Sequence, residues 1–335
     1  MDRLPIIDVG PLAEPGGPGF EAAARAVDAA AREIGFFLVT GPGVDPADLR
    51  ALDAAARRFF ALPAEVKATV AMARGGRAWR GWFPEGGELT SGRPDRKEGL
   101  YLGADLPAED PRVLAGLALH GPNLLPDEHV PELRPAVDRW LAAMTDLGHR
   151  LLRGVAAGLG LAPAWFARHL TADPTVLFRI FRYPPVADRD GWGVAEHTDY
   201  GLLTILAHDG RSGLQVRAGD GWLEVPAVDG AFVVNLGDML DRLTGGRYRS
   251  TPHRVVRSPD DGDRGDRLSF PFFFDPGWDA EVVAPPLDGV PPPDDRDRRW
   301  DGASVHAFSG TYGEYLTEKV AKVFPDLGTA VLDRR

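Results

Sequence analysis

Residues 201–236 read GLLTILAHDGRSGLQVRAGDGWLEVPAVDGAFVVNL, and their rhythm decides the fold. Short apolar runs, Gly201–Ala207, Leu214–Val216, Trp222–Val225 and Ala231–Leu236, alternate with turn residues, several of them starting about eight to ten positions apart. Ala218-Gly219-Asp220-Gly221 supplies a hairpin turn between two of the runs. The same texture extends upstream to Val176–Tyr183 and downstream through Arg254–Val256 to Leu268–Phe274. Closely spaced short strands with no helices between them predict an antiparallel sandwich or barrel and argue against an alternating βαβ arrangement.

Working outward, the N-terminal part reads as helices between short strands. Phe20–Glu33 is Ala-rich, and the apolar run Gly35–Thr40 ends at Gly41-Pro42-Gly43. Asp45-Pro46 is an N-cap followed by proline at the first helical position, opening a helix to about Phe60 that stops before Pro63. A long amphipathic stretch covers Glu132–Ala157 and ends at Gly158 and Gly160. On the other side, Pro276–Asp301 reads as a loop and Thr311–Phe324 as a closing helix. The expected fold class is mainly β with flanking α: an eight-stranded jelly roll, or double-stranded β-helix, wrapped by N-terminal and C-terminal helices. It is expected as one domain over 1–335, with 1–170 mainly helical, 171–275 the jelly-roll core and 276–335 the loop and closing helix.

Composition narrows the function. The 335 residues are 44% apolar, enough for a sizeable core, and carry a formal net charge of −11. Phosphate binding needs a basic face, so the charge argues against a nucleic-acid partner. Cysteine is absent, so any metal must be held by His and carboxylates. Residues 1–8 show no apolar run behind positive charge, and no 18-residue apolar stretch occurs, so the expectation is a soluble cytoplasmic protein with no membrane partner. Oligomeric state is not legible.

Three motifs carry chemistry. In His197-Thr198-Asp199 the two-residue period of extended chain points His197 and Asp199 the same way, so they can grip one ion; the plain alternative is a turn aspartate bonded to backbone. His253, in Ser250-Thr251-Pro252-His253-Arg254-Val255, opens another strand and supplies a third ligand; alone it equally suits an imidazole hydrogen-bonded to a carbonyl. Two imidazoles and one carboxylate on one face form the set that leaves three positions of Fe(II) open for oxygen chemistry. Arg267 and Ser269 share a face of the next strand, so a guanidinium fork and a hydroxyl converge on one carboxylate-sized target, unless Arg267 merely pairs with Asp266 or Asp263. Tyr183, in Tyr183-Pro184-Pro185, could reach the same anion or be an ordinary strand tyrosine.

The order Tyr-Pro-Pro, His-Thr-Asp, Pro-His-Arg-Val, Arg-Leu-Ser resembles the Fe(II)- and 2-oxoglutarate-dependent dioxygenases of the isopenicillin N synthase-like family. Further landmarks in family order are Leu4-Pro5-Ile6-Ile7-Asp8, Glu33-Ile34-Gly35-Phe36-Phe37, Phe59-Phe60-Ala61-Leu62-Pro63, Arg80-Gly81-Trp82, Lys97-Glu98, Gly121-Pro122-Asn123, Gly213-Leu214-Gln215-Val216 and Asn235-Leu236-Gly237-Asp238. The resemblance implies His197, Asp199 and His253 as iron ligands. It implies Arg267, Ser269 and Tyr183 as the 2-oxoglutarate site, and Fe(II), 2-oxoglutarate and O2 as cofactor and cosubstrates. Oxidative decarboxylation would then be coupled to hydroxylation, desaturation or ring closure of a small organic substrate, in specialised metabolism.

Two departures are Phe181, where many relatives carry Asn, and Val186, where plant relatives often have Cys. Candidate substrate contacts are Arg80 with Trp82, Glu98 with Tyr101, and Phe273; each also reads as an ion pair or core residue. The other six histidines, His120, His129, His149, His169, His208 and His306, read as structural or solvent-facing. Three other readings compete: an iron oxidase of this fold that does not use 2-oxoglutarate, a zinc hydrolase, and a non-catalytic binder.

Overall fold

β-branched and aromatic runs cut by glycine and proline form fourteen strands among the described residues. In chain order they are β1 (Ile6–Asp8), β2 (Phe36–Thr40), β3 (Gly81–Phe83), β4 (Leu89–Thr90), β5 (Arg93–Pro94), β6 (Glu98–Gly103) and β7 (Thr175–Tyr183). Then follow β8 (Trp192–His197), β9 (Leu203–His208), β10 (Leu214–Ala218), β11 (Gly221–Glu224), β12 (Phe232–Leu236), β13 (His253–Val256) and β14 (Arg267–Asp275). The helices are α1 (Phe20–Glu33), α2 (Pro46–Phe60), α3 (Ala64–Lys67), α4 (Pro111–Leu114), α5 (Leu133–Gly158), α6 (Trp165–His169), α7 (Asp238–Leu243) and α8 (Tyr312–Val323). The computed structural model describes residues 3–90, 93–184, 192–211, 213–256 and 265–289, with 293–294, 296–298, 302, 304 and 309–323.

The eight strands β7 to β14 make the expected jelly roll. Four of them lie side by side as β12-β9-β14-β7, and the other four form a second sheet, β11-β10-β13-β8. All pairings among these eight are antiparallel. The expected hairpin is present: Ala218 pairs with Gly221, so Gly219 and Asp220 form the turn, with Gly219 at φ 58°. The N-terminal part does more than wrap this core. It extends the larger sheet at both ends, β2 and β1 beyond β12 and β6 and β3 beyond β7, giving eight strands, and β1 pairs with β2 in parallel. Strand β6 is buried along its whole length, so it shows none of the alternation by which a strand is read from sequence.

Helix α2 begins as its sequence requires, the Asp45 carboxylate accepting from the Ala47 amide at 2.8 Å ahead of Pro46. Helix α5 packs on α1 and α2 and reaches the large sheet, where Trp140 meets the ring of Phe232 edge-on. At Gly148 a Cβ would lie 2.6 Å from the Phe274 ring, so glycine lets α5 approach β14. The closing helix is described as far as Val323, and its expected last residue lies outside the described residues. Pro185, Val186, Gly191, Asp263, His306 and Phe324 lie outside them. No described helix is long and apolar enough to cross a membrane.

Candidate metal centre and active-site cavity

Strands β8 and β13 pair so that His197 and His253 face each other on one rung, and a register irregularity follows directly after His253. Asp199 lies two residues past the end of β8. One ligand atom from each of the three comes within 4.8 Å of the others, and His197-Asp199-His253 is the group with this property among the described residues. The Nε2 atoms of His197 and His253 each lie 3.8 Å from an Asp199 oxygen, and the two rings are 4.3 Å apart.

The surroundings prepare these atoms for a cation. The Nδ1 of His197 faces the Ala195 carbonyl at 2.8 Å and that of His253 the Thr251 carbonyl at 3.2 Å. A carbonyl can only accept, so Nδ1 carries the proton and Nε2 is left as a lone pair. The carbonyl bond anticipated as a rival to ligation is thus the bond that aims the ring. Asp199 Oδ2 accepts from Thr204 Oγ1 at 2.5 Å and from Asn235 Nδ2 at 2.7 Å. Burial alone would raise the Asp199 carboxyl, but the two imidazoles and these hydrogen bonds hold it below the usual range. Burial lowers His197, and burial together with the neighbouring imidazole pushes His253 down to about 4. At neutral pH the set is two neutral imidazoles and one carboxylate, a donor set that fits Fe(II).

A cavity of about 370 Å³ opens beside these ligands. Arg267, Ser269 and Tyr183 line it, with Arg267 placed on the same rung as Tyr183 and its guanidinium 4.8 Å from that ring. Asp266 does not neutralise Arg267; it is held by Arg182 at 2.7 Å. The Nε and Nη1 of Arg267 are buried with no hydrogen-bond partner, so a carboxylate-sized anion fits there.

The sequence-derived substrate contacts separate. Phe273 lines the cavity. Arg80 does not: it is buried elsewhere, donates to the Leu119 carbonyl at 2.9 Å and borders a different cavity. Trp82 and Glu98 bond to each other at 2.8 Å, and Glu98 pairs with Lys67 and Arg182 in a buried network outside the cavity. Tyr101 stands behind the wall, its hydroxyl donating to Glu88.

Cavity residues that sequence reading missed include Glu88, Lys97, Arg179, Tyr200, Asn235, Asp275 and Lys319. Lys97 is bridged by Glu88 at 2.9 Å and by Asp95, and its ammonium lies 4.5 Å from the ring of Phe181. The signal for Arg179 was present in the strand: Arg179, Phe181 and Tyr183 alternate along β7 and share one face. From α8, Leu316, Lys319 and Val320 complete the wall.

Comparison with known proteins agrees with this geometry. Residues 174–276 match the family described as the 2OG-Fe(II) oxygenase superfamily, and residues 4–128 match the non-haem dioxygenase in morphine synthesis N-terminal family. The chain is 39% identical to a Dictyostelium discoideum protein named "Probable iron/ascorbate oxidoreductase", covering 99% of this chain and 98% of that one. It is 37% identical to a 2-oxoglutarate-dependent dioxygenase of Monascus ruber, over 86% of this chain and 88% of that one. A solved 2OG-Fe(II) oxygenase family protein of Caulobacter crescentus superposes with a TM-score of 0.80 at 27% identity, covering 96% of this chain and 99% of that one. The chain belongs to the 2OG-Fe(II) oxygenase superfamily, and it is a non-haem iron oxidoreductase that couples 2-oxoglutarate and O2 to the oxidation of a small organic substrate.

Proposed function

We propose that His197, Asp199 and His253 hold the Fe(II) of this enzyme, that Arg267, Ser269 and Tyr183 hold the far carboxylate of 2-oxoglutarate, and that the substrate occupies the remaining cavity. One observation carries the reading: three cation-ready ligand atoms within 4.8 Å share a cavity with Arg267, whose buried Nε and Nη1 have no hydrogen-bond partner. When bound, Fe(II) supplies O2 activation coupled to decarboxylation of 2-oxoglutarate.

The protein's part is orientation and shelter. Carbonyl bonds to Nδ1 fix both imidazoles, Thr204 and Asn235 fix the carboxylate, and the Arg267 fork with the Ser269 hydroxyl neutralises and orients the dicarboxylate. Leu206, Leu214, Val194 and Val255 make an apolar wall that excludes water from the reacting atoms. The chain works as one catalytic unit, a reading supported by β3 and β6 extending the sheet that bears Arg267. The match of residues 4–128 to a family described from morphine synthesis supports a place in specialised metabolism.

Anaerobic addition of Fe(II) and 2-oxoglutarate is expected to give a weak visible charge-transfer band, and O2 to release succinate. Asp199→Ala is expected to lose both while remaining folded. An unchanged band in Asp199→Ala would overturn the ligand assignment, and turnover without succinate would return the reading to the iron oxidase.

A further inference from the structure

The same cavity holds a second arginine with a buried N–H that finds no acceptor. Arg179 lies on β7, four residues before Tyr183 and on the same face. Its side chain is 18% exposed, and it lines the cavity. The guanidinium carbon is 4.1 Å from the centre of the Tyr101 ring and 4.7 Å from that of Phe273. Its Nε is buried with no hydrogen-bond partner. The nearest carboxylate oxygen, on Glu88, is 3.9 Å from Nη1, beyond hydrogen-bond reach. Glu88 is also spoken for, by Lys97 at 2.9 Å and by the Tyr101 hydroxyl.

Resting on the function proposed above, we infer that Arg179 is the specificity-determining residue for the substrate and that it recognises a carboxylate attached to an apolar, ring-bearing body. The guanidinium lies within reach of two aromatic rings, and its side chain lines the cavity with Nε unpaired. Planar bidentate pairing at the edge is what a carboxylate provides, and a desolvated N–H without an acceptor is costly until one arrives. The body behind the carboxylate meets Phe273, Leu177, Pro271 and Leu316. A cavity of about 370 Å³ shared with the cosubstrate keeps that body small. Arg267 and Arg179 thus divide two anionic ligands between them.

The test uses the anaerobic Fe(II) and 2-oxoglutarate holoenzyme, titrated with phenylacetate, 3-phenylpropanoate and 4-phenylbutyrate and with the neutral amide of each, by calorimetry and by shift of the charge-transfer band. At least one acid is expected to bind about tenfold or more tightly than its amide, the order expected of charge-assisted bonds. In Arg179→Gln the preference should collapse to about twofold or less, with 2-oxoglutarate affinity unchanged within the same margin. Acids no tighter than amides in the wild type, or a preference that survives in Arg179→Gln, would overturn the inference. So would an Arg179→Gln enzyme that loses 2-oxoglutarate instead, since the guanidinium would then serve the cosubstrate. Should Arg179→Gln not fold, Arg179→Lys keeps the charge without the fork: weaker acid binding at constant amide binding supports the inference, and unchanged acid binding overturns it. Failure of the wild type to form the band at all counts against the proposed function, while calorimetry still compares each acid with its amide.

Discussion

Asn235 touches no reacting atom, yet it holds Asp199 Oδ2 at 2.7 Å from a neighbouring strand. Partners of this kind orient a ligand, and their loss costs roughly 10–100-fold in metal affinity. Asn235→Ala is therefore expected to weaken Fe(II) binding by about that factor in a metal titration while leaving the fold intact. Asp275 sets a second residue-scale expectation. Burial pushes its carboxyl up to about 7 against 3.8 for the free group, despite the Tyr312 hydroxyl and Leu202 amide that donate to it. Between those values the folded chain keeps the proton and the unfolded chain does not, so stability falls as pH rises, by up to about 1.4 kcal/mol per pH unit. Asp275→Asn should remove that decline, and denaturant midpoints at pH 5 and pH 7.5 measure it. A pH difference equal in the two proteins would show that Asp275 keeps no proton.

At the scale of elements, the turn from β8 to β9 and the closing helix meet at this same aspartate. A Cβ on Gly201 would sit 1.5 Å from Asp275 Oδ1, so Gly201→Ala must displace either the Asp275 carboxylate from its bonds to Leu202 and Tyr312 or the loop carrying Asp199. We expect a loss of about 1–3 kcal/mol in denaturant unfolding together with weakened iron binding. Helix α8 is tied to the sheet through the Tyr312 hydroxyl, 2.6 Å from Asp275, and lends Leu316, Lys319 and Val320 to the cavity. A chain ended at residue 310 is expected to keep the iron and 2-oxoglutarate band while its substrate KM rises. Loss of the band would mean that α8 supports the metal centre itself. Elements were legible to unequal degrees. Strands β7 and β9 to β14 announced themselves because turn residues punctuate each one and apolar runs fill the gaps; β8 did not, because Gly191 and Gly193 make its start read as a turn. Strand β6 did not, being buried on both faces, and with it went the true setting of Glu98 and Tyr101.

For the molecule as a whole, the His197-Asp199-His253 cluster and Arg267 in its cavity were readable because each is a short local pattern at a strand end. Glu88 and Lys97 were not, because their meaning lies in contacts with each other and with β7 some eighty to ninety residues later, and a charged residue in isolation reads as solvated surface. Charge also acts at this scale. The chain carries −11, whereas its cosubstrate is a dianion, so long-range repulsion opposes encounter. Added salt screens that repulsion, and kcat/KM for 2-oxoglutarate should rise as ionic strength increases from about 10 mM to 150 mM. A fall over this range would mean that the local field of Arg267 and its neighbours governs capture.

The rung shared by His197 and His253 has a further consequence for how the enzyme ages in solution. Because both imidazoles stand opposite one another on a single ladder, any fraying that parts β8 from β13 withdraws two of the three donors together. Iron should therefore leave in one cooperative event, and the escape rate of the ion becomes a gauge of how often that pair of strands comes unzipped.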